Sequence, residues 1–223
     1  MNWVADNLDL IWALTLNHLR QSAIAIAAGF VLSVPLGWLA FRYTPLRGTV
    51  LTVVGLLFTI PSFALFPLIS LFGVPLLSET NLIVALTIYA VAIMTRSVTD
   101  GLASVDSSTR SAAVAVGFGP WRRFWKVDFP LSGPVVLAGL RVTAMSTISL
   151  ATVGALIGVQ NLGYLFTNGS QRRIIAEVFA GVVAVVLIAV IVDALLMLAG
   201  RALMPWTRRA APLRTTRSRA VTA

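Results

Sequence analysis

Five long apolar runs, each nearly free of charge, constrain the fold of this chain more than any other feature. A helix of about 20 apolar residues crosses the hydrocarbon core of a bilayer. The runs predict spans at 22–41, 49–72, 81–95, 135–157 and 174–198. Each must be helical because lipid offers no partner to unpaired backbone groups. We therefore expect an all-α membrane protein with five transmembrane helices.

Composition supports a lipid environment and excludes several function classes. Only 11% of the 223 residues are charged, whereas soluble domains carry about a quarter. The chain has no cysteine, which excludes disulfides, thiolate nucleophiles and cysteine metal sites. His18 is the only histidine, and no His-Glu-x-x-His or Gly-x-Ser-x-Gly motif is present, which argues against an enzyme or a metal site. No phosphate-binding loop is present either, so we expect no cofactor in this chain.

Loop charges predict the orientation of the chain in the membrane. One side receives Arg42, Arg47, Arg96, Arg110, Arg122, Arg123, Lys126 and the tail from Arg201 onward. The other side receives Arg20, Arg172 and Arg173 together with Asp6, Asp9 and Glu79. The positive-inside rule assigns the first set to the cytoplasm. The N-terminus is then outside and the C-terminus inside, and the net charge of +9 reflects topology, not nucleic-acid binding.

Both ends of the chain differ in composition from the transmembrane domain, which we assign to residues 22–206. Residues 1–21 form an amphipathic segment whose two tryptophans suit the membrane interface. Such a helix either lies at the interface or simply extends the first span. Residues 207–223 are basic and rich in Ala, Thr and Ser, and we expect a disordered tail.

A short helical hairpin is predicted at 106–130, between the third and fourth spans. Ser107 or Ser108 can cap its first helix, and Gly117 permits the turn. Pro120 suits the first position of the second helix. On that helix the apolar residues Trp121, Phe124 and Trp125 share one face, and the basic residues Arg122, Arg123 and Lys126 share the opposite face. From these features alone, a basic loop that only anchors topology is the favoured interpretation, and a docking helix is the alternative.

The spacing of small residues in the hairpin resembles the EAA loop of ABC importer permeases. That pattern is Glu-Ala-Ala, three residues, Gly, nine residues, then Ile-x-Leu-Pro. Ala112, Ala113, Gly117 and Pro130 match it in register, and Ser111 replaces the glutamate. The resemblance implies a coupling helix that docks on an ATP-binding subunit through Ser111, Ala112, Ala113, Gly117, Pro120 and Pro130.

The resemblance extends from about residue 12 to 206 and points to the osmoprotectant branch. The stretches at 58–73, 130–144 and 151–166 are similar to that branch, although Gln160-Asn161 replaces a Gly-Gly pair. The resemblance implies import of glycine betaine, choline, carnitine or proline betaine. It also implies two ATPase subunits, an external substrate-binding protein and a second permease, either another copy or a sister chain. An importer of another small solute, such as an amino acid, is the alternative, and a membrane scaffold without transport would leave the loop spacing unexplained.

Five residues are candidates for the translocation pathway. Pro61 and Ser62 can break the second span and expose backbone carbonyls, which membranes tolerate only beside protein or a cavity. Thr147, Thr152 and Gly154 lie in a small-residue run that can line a pathway. A packing kink and close helix packing are the alternatives for the two stretches.

Two charges lie inside predicted spans, at Arg141 and Asp193. Each costs roughly 2.5–3.5 kcal/mol at a helix centre on insertion scales. Both lie about 10 Å from the cytoplasmic ends of their spans at 1.5 Å per residue. We expect them to pair, with separate snorkelling as the alternative. We also expect Glu177 to pair with Arg172 or Arg173, and His18 to lie at the interface.

Overall fold

The computed structural model describes residues 2–209, which fold into ten α-helices. In order they are α1 (Asn2–Asp6), α2 (Leu8–Arg42), α3 (Thr44–Thr59), α4 (Ser62–Ser70), α5 (Glu79–Ala103), α6 (Ser107–Ala115), α7 (Pro120–Arg123), α8 (Phe129–Ala151), α9 (Gly163–Arg172) and α10 (Ile175–Leu203). A π-helical turn at Phe124–Asp128 joins α7 to α8, and 3₁₀ turns follow α8 at Thr152–Ile157 and α10 at Pro205–Arg209. The all-α prediction is confirmed.

The core is a tight packing of α2, α5 and α8, with α5 in the middle. A Cβ atom on Gly29 of α2 would lie 2.4 Å from the Cβ of Ala90 on α5. A Cβ on Gly139 of α8 would lie 2.2 Å from the Cβ of Ser97, also on α5. Because lipid gives helices no hydrophobic reason to associate, close van der Waals contact between small residues supplies the attraction.

Two ion pairs mark opposite ends of the bundle and define how the chain crosses it. Arg20 on α2 lies 2.5 Å from Glu79 at the start of α5, and Arg47 on α3 lies 3.7 Å from Asp100 near its end. The two acids are 21 positions apart on α5, which corresponds to about 32 Å, close to the hydrocarbon thickness. The chain enters α3 at the Asp100 end and leaves α4 toward the Glu79 end. These two helices, bent by 103°, therefore form one broken crossing.

Adding α2, α5, α8 and α10, which are long and apolar enough to span, gives five crossings. Several boundaries differ from the predicted ones. Helix α2 continues unbroken through residues 21 and 22, so residues 8–21 extend the first span. Helix α5 continues beyond residue 95 to Ala103, and α8 begins six residues earlier than predicted. Of the predicted tail, residues 207–209 belong to the last 3₁₀ turn, and 210–223 lie outside the described residues.

Candidate functional site

Helix α6 opens the hairpin and begins at a cap one residue earlier than the sequence suggested. Asp106 Oδ1 accepts a hydrogen bond from the backbone N–H of Ser108 at 2.8 Å, so Asp106 is the N-cap instead of Ser107 or Ser108. This bond favours the ionised carboxylate and lowers the pKa of Asp106.

The turn after α6 depends on the left-handed backbone of Gly117, whose φ is +84°. The N–H of Phe118 donates to the carbonyl of Ala113 at 3.0 Å, and the N–H of Gly117 donates to Val114 at 2.9 Å. This pair of bonds closes a helix when the residue after the cap is left-handed. No atom lies within 4 Å of a Cβ placed on Gly117, so the requirement comes from the backbone alone.

The second half of the hairpin begins at Pro120 and packs an aromatic cluster against α2. Phe124 is buried, and its ring centroid lies 5.9 Å from that of Trp38. Trp121 and Trp125 surround Phe124 but remain 64% and 46% exposed. The predicted apolar face therefore exists, but only Phe124 is enclosed by the bundle.

Asp128 is the structural centre of the hairpin. Its carboxylate, 3% exposed, lies 3.0 Å from the Nε atoms of both Arg110 and Arg123. Arg110 also donates to the carbonyl of Leu102, and its guanidinium lies 4.7 Å from the ring centroid of Phe41. Arg110 thereby links the hairpin to the ends of α2 and α5.

Sequence reasoning missed this centre and was wrong about one basic residue. It placed Arg123 with Arg122 and Lys126 on a common outer face, whereas Arg123 turns inward to Asp128. Arg122 and Lys126 are exposed as expected. The available signal was Asp128 itself, because an acid flanked by apolar residues at a membrane boundary needs a cationic partner.

The remaining predicted hairpin residues lie on two sides of α6. Ser111 and Ala112 are exposed, whereas Ala113 is 6% exposed and faces the bundle. Val114 and Val116 add exposed apolar area, so α6 presents a small-residue, apolar outer surface. Pro130 is the second residue of α8 and directly follows the π-helical turn, so it has no N–H to donate to the carbonyls of that turn.

The helix of the broken crossing is interrupted at Ile60 and Pro61, between the end of α3 and the start of α4. Pro61 has no N–H to continue α3, and the carbonyl of Ile60 instead accepts a hydrogen bond from the hydroxyl of Tyr89 on α5. On the same helix, Asn81 Nδ2 donates to the carbonyl of Phe66 at 3.1 Å. Helix α5 therefore holds both the break and the segment beyond it.

The five predicted pathway residues do not share one surface of the chain. Pro61 is exposed and Ser62 half-buried at the break. Thr147 is buried in α8, and its hydroxyl has no hydrogen-bond partner among the described residues. The Thr152 hydroxyl donates to a carbonyl within its own turn, and Gly154 is buried against α5.

Asn161, which departs from the expected Gly-Gly-Leu-Gly stretch, forms a buried polar connection. Its Nδ2 donates to Gln21 Oε1 at 3.1 Å and to the carbonyl of Ala151 at 2.8 Å. Its Oδ1 accepts from the N–H of Gly163 at 2.8 Å. Both Asn161 and Gln21 are buried. Asn161 therefore forms contacts in the protein interior. Of the two residues that replace the Gly-Gly pair, only Gln160 is exposed.

The structure brings Arg141 and Asp193 together, with guanidinium-to-carboxylate distances of 2.6 and 2.7 Å.

The predicted pairing of Glu177 with Arg172 or Arg173 was wrong. Its buried carboxylate accepts a hydrogen bond from Asn168 Nδ2 at 2.6 Å. Within residues 2–209 it forms no ion pair with Arg172 or Arg173, which are both exposed. His18 is buried, not interfacial, with Nε2 2.9 Å from the carbonyl of Ile148.

A known family of membrane transport proteins matches most of this chain, including the hairpin at 106–130. Residues 25–209 match the family described as binding-protein-dependent transport system inner membrane component. The chain belongs to this family. It is a permease subunit of an ABC importer, located in the inner membrane. The resemblance carried by the 106–130 loop is thereby confirmed.

Two curated permeases align with nearly the whole chain. The osmoprotectant import permease OsmW of Salmonella typhimurium is 32% identical over 200 residues, 88% of this chain and 93% of that protein. The choline transport permease OpuBB of Bacillus subtilis is 31% identical over 193 residues, 86% and 87% of the two chains. An inward-facing structure of the MetNI methionine ABC transporter matches the fold with a TM-score of 0.74, at 22% identity, over 90% of this chain and 97% of that chain.

Proposed function

We propose that this permease imports quaternary-amine osmoprotectants such as glycine betaine, choline, carnitine and proline betaine. The observation that carries the proposal is the near full-length similarity to permeases whose names specify osmoprotectant and choline import. An external binding protein selects the amine, where an aromatic cage can hold a quaternary ammonium by cation–π attraction. The permease then provides the route across the membrane.

Helix α6 couples this route to ATP hydrolysis. Its exposed outer surface of small residues, including Ser111 and Ala112, suits close docking in a groove of the ATPase. The ion pairs of the buried Asp128 stiffen the hairpin. When the ATPase moves the hairpin, Arg110 transmits that movement to the ends of α2 and α5, which it contacts. In this arrangement the hairpin end is cytoplasmic and the N-terminus is outside.

A second permease, either another copy or a sister chain, covers the broken crossing. Pro61 is exposed in the single chain, and irregular backbone at membrane depth is tolerated only beside protein or a water-filled cavity. The break then lies at the interface between the two permeases, along their translocation pathway. Thr147 and Gly154 support the surrounding helix packing.

Uptake by the complete complex in proteoliposomes tests the proposal. The permease, its ATPase and its binding protein are reconstituted, and uptake of radiolabelled glycine betaine, choline and carnitine is compared with that of methionine and histidine. We expect ATP-dependent uptake of one or more quaternary amines. Uptake of amino acids alone would support the alternative, an amino-acid importer, which the fold of the methionine transporter also accommodates.

A further inference from the structure

Helix α5 presents three faces in the half of the bundle nearer the hairpin. One face carries Val98 and packs against α2, and another carries Ser97 and packs against α8. The third face carries Tyr89, Arg96 and Asp100, whose spacings of seven and four residues place them in one row along the helix. This row faces the broken crossing, because Tyr89 donates to a carbonyl at the break and Asp100 pairs with a residue of α3.

Arg96 lies between these two contacts and has no acidic partner of its own. It is exposed, and among residues 2–209 it forms no ion pair. It lies one helical turn from Asp100, about 6 Å nearer the bilayer centre, and Asp100 already pairs with Arg47 at 3.7 Å. Charged residues at membrane depth face the protein interior or a water-filled cavity, and they mark solute pathways.

A second copy of the chain offers no free acid to Arg96. The chain has eight acids, and all lie within the described residues 2–209. Four of them form ion pairs within the chain, namely Glu79, Asp100, Asp128 and Asp193. Asp106 caps α6, Glu177 is buried, and Asp6 and Asp9 lie at the opposite end of the bundle. A mobile anion therefore has to supply the counter-charge.

The solutes of the proposed function differ in whether they offer such an anion. Glycine betaine, carnitine and proline betaine carry a carboxylate, whereas choline carries a hydroxyl group and a net positive charge. We infer that Arg96 lines the cytoplasmic half of the translocation pathway and contacts the solute carboxylate, so that the permease favours betaines over choline. A guanidinium donates paired hydrogen bonds to a carboxylate, and the same charge repels a cation. The inference rests on the proposed function, because the pathway there follows the broken crossing.

Uptake by the reconstituted complex tests the inference, with glycine betaine and choline compared at saturating amounts of binding protein. We expect the parent to import glycine betaine faster than choline. Arg96→Gln should lower the maximal rate for glycine betaine about tenfold, because it removes a charged hydrogen-bond donor. The same variant should import choline no more slowly than the parent does.

Two further variants separate the charge of Arg96 from its bulk and from general surface charge. Arg96→Lys keeps a positive charge and should retain most of the glycine betaine uptake. Arg42→Gln removes another exposed arginine from the same end of the bundle, on α2, and should leave both rates unchanged. Parent-like uptake of glycine betaine by Arg96→Gln would overturn the inference.

A phospholipid phosphate is the other anion that a long arginine side chain can reach from this depth. The measurements are therefore made both in phosphatidylcholine vesicles and in vesicles that also contain phosphatidylglycerol. We expect the same loss of glycine betaine uptake in both. A loss that occurs only with phosphatidylglycerol would assign Arg96 to the lipid and overturn the inference.

The remaining outcomes separate this inference from the proposed function. Import of choline but of no carboxylate-bearing amine would overturn the inference and leave the proposed function standing. Absence of uptake of every quaternary amine would overturn both. An equal loss of glycine betaine and choline uptake in Arg96→Gln, or a lower melting temperature of that variant complex, would show a structural role such as pairing with an acid of a sister permease.

Discussion

Arg141 on α8 and Asp193 on α10 form a bidentate ion pair, with Nε and Nη2 2.6 and 2.7 Å from the two carboxylate oxygens. Helix α10 is otherwise strongly apolar and has few buried residues. Apolar side chains facing lipid do not fix the rotation of a helix about its own axis. The pair therefore sets which face of α10 contacts α8.

Removing one member of this pair should impair folding more than removing both. Asp193→Asn leaves the Arg141 guanidinium without a counter-charge within the membrane region, and Arg141→Gln does the same to the carboxylate. We expect each single variant to lose several degrees in melting temperature, and the double variant to recover part of that loss. Arg96→Gln, which removes an exposed arginine from α5, is the control and should have little effect. A double variant no better than either single one would argue against direct pairing.

Asp128→Asn should loosen the hairpin without removing it. The substitution takes a counter-charge from Arg110 and Arg123, and a hydrogen bond to a charged group contributes about 1.5–3 kcal/mol. We expect a lower free energy of unfolding and a lower rate of ATP-driven uptake. Asp100→Asn is the matched control, because its pair with Arg47 is long at 3.7 Å and half-exposed. Such pairs contribute about 1 kcal/mol or less. Equal effects of the two substitutions would contradict the assigned role of Asp128.

The two hairpin glycines should respond differently to the same substitution. Gly117→Ala places a side chain on a left-handed backbone and should cost about 1–2 kcal/mol. Gly119→Ala should be tolerated, because its φ is −68° and its Cβ would meet open space. Thermal unfolding of the reconstituted complex measures both. The backbone argument fails if Gly119→Ala proves as harmful as Gly117→Ala.

Asn161→Gly, which restores the residue expected from the osmoprotectant branch, should destabilise this particular chain. Gln21 Oε1 would remain buried without its donor, and each unsatisfied buried group costs about 1–3 kcal/mol. Asn161→Ala tests the same loss without the added flexibility of glycine. Gln160→Ala is the control, since its exposed side chain makes no comparable contact. If unfolding of the Asn161 variants matches that of the parent, the buried connection contributes nothing to stability.

The number of crossings and the hairpin could be predicted because they depend on local patterns. Long uncharged runs require helices in lipid, and the positions of Gly117 and Pro120 reflect backbone geometry that few residues can satisfy. The pairing of Arg141 with Asp193 could also be predicted, because two charges at equal depth in neighbouring spans have few other partners.

The missed features depend on which helices lie side by side. Gln21 and Asn161 are 140 positions apart, and neither residue type signals a buried partner at that distance. Arg110 and Asp128 meet because the turn at Gly117 folds the hairpin back on itself. Glu177 likewise accepts a hydrogen bond from the side-chain amide of Asn168, because α9 packs against the start of α10.

ATP-driven uptake by a permease with an obstructed α6 tests the central claim most directly. Ala112→Arg places a large charged side chain on the proposed docking surface, whereas Ala202→Arg makes the same change at an exposed site near the end of α10. We predict that the parent and Ala202→Arg complexes accumulate radiolabelled glycine betaine in proteoliposomes with ATP, and that Ala112→Arg inserts in the membrane but does not. Uptake by Ala112→Arg at the parent rate would contradict coupling through α6.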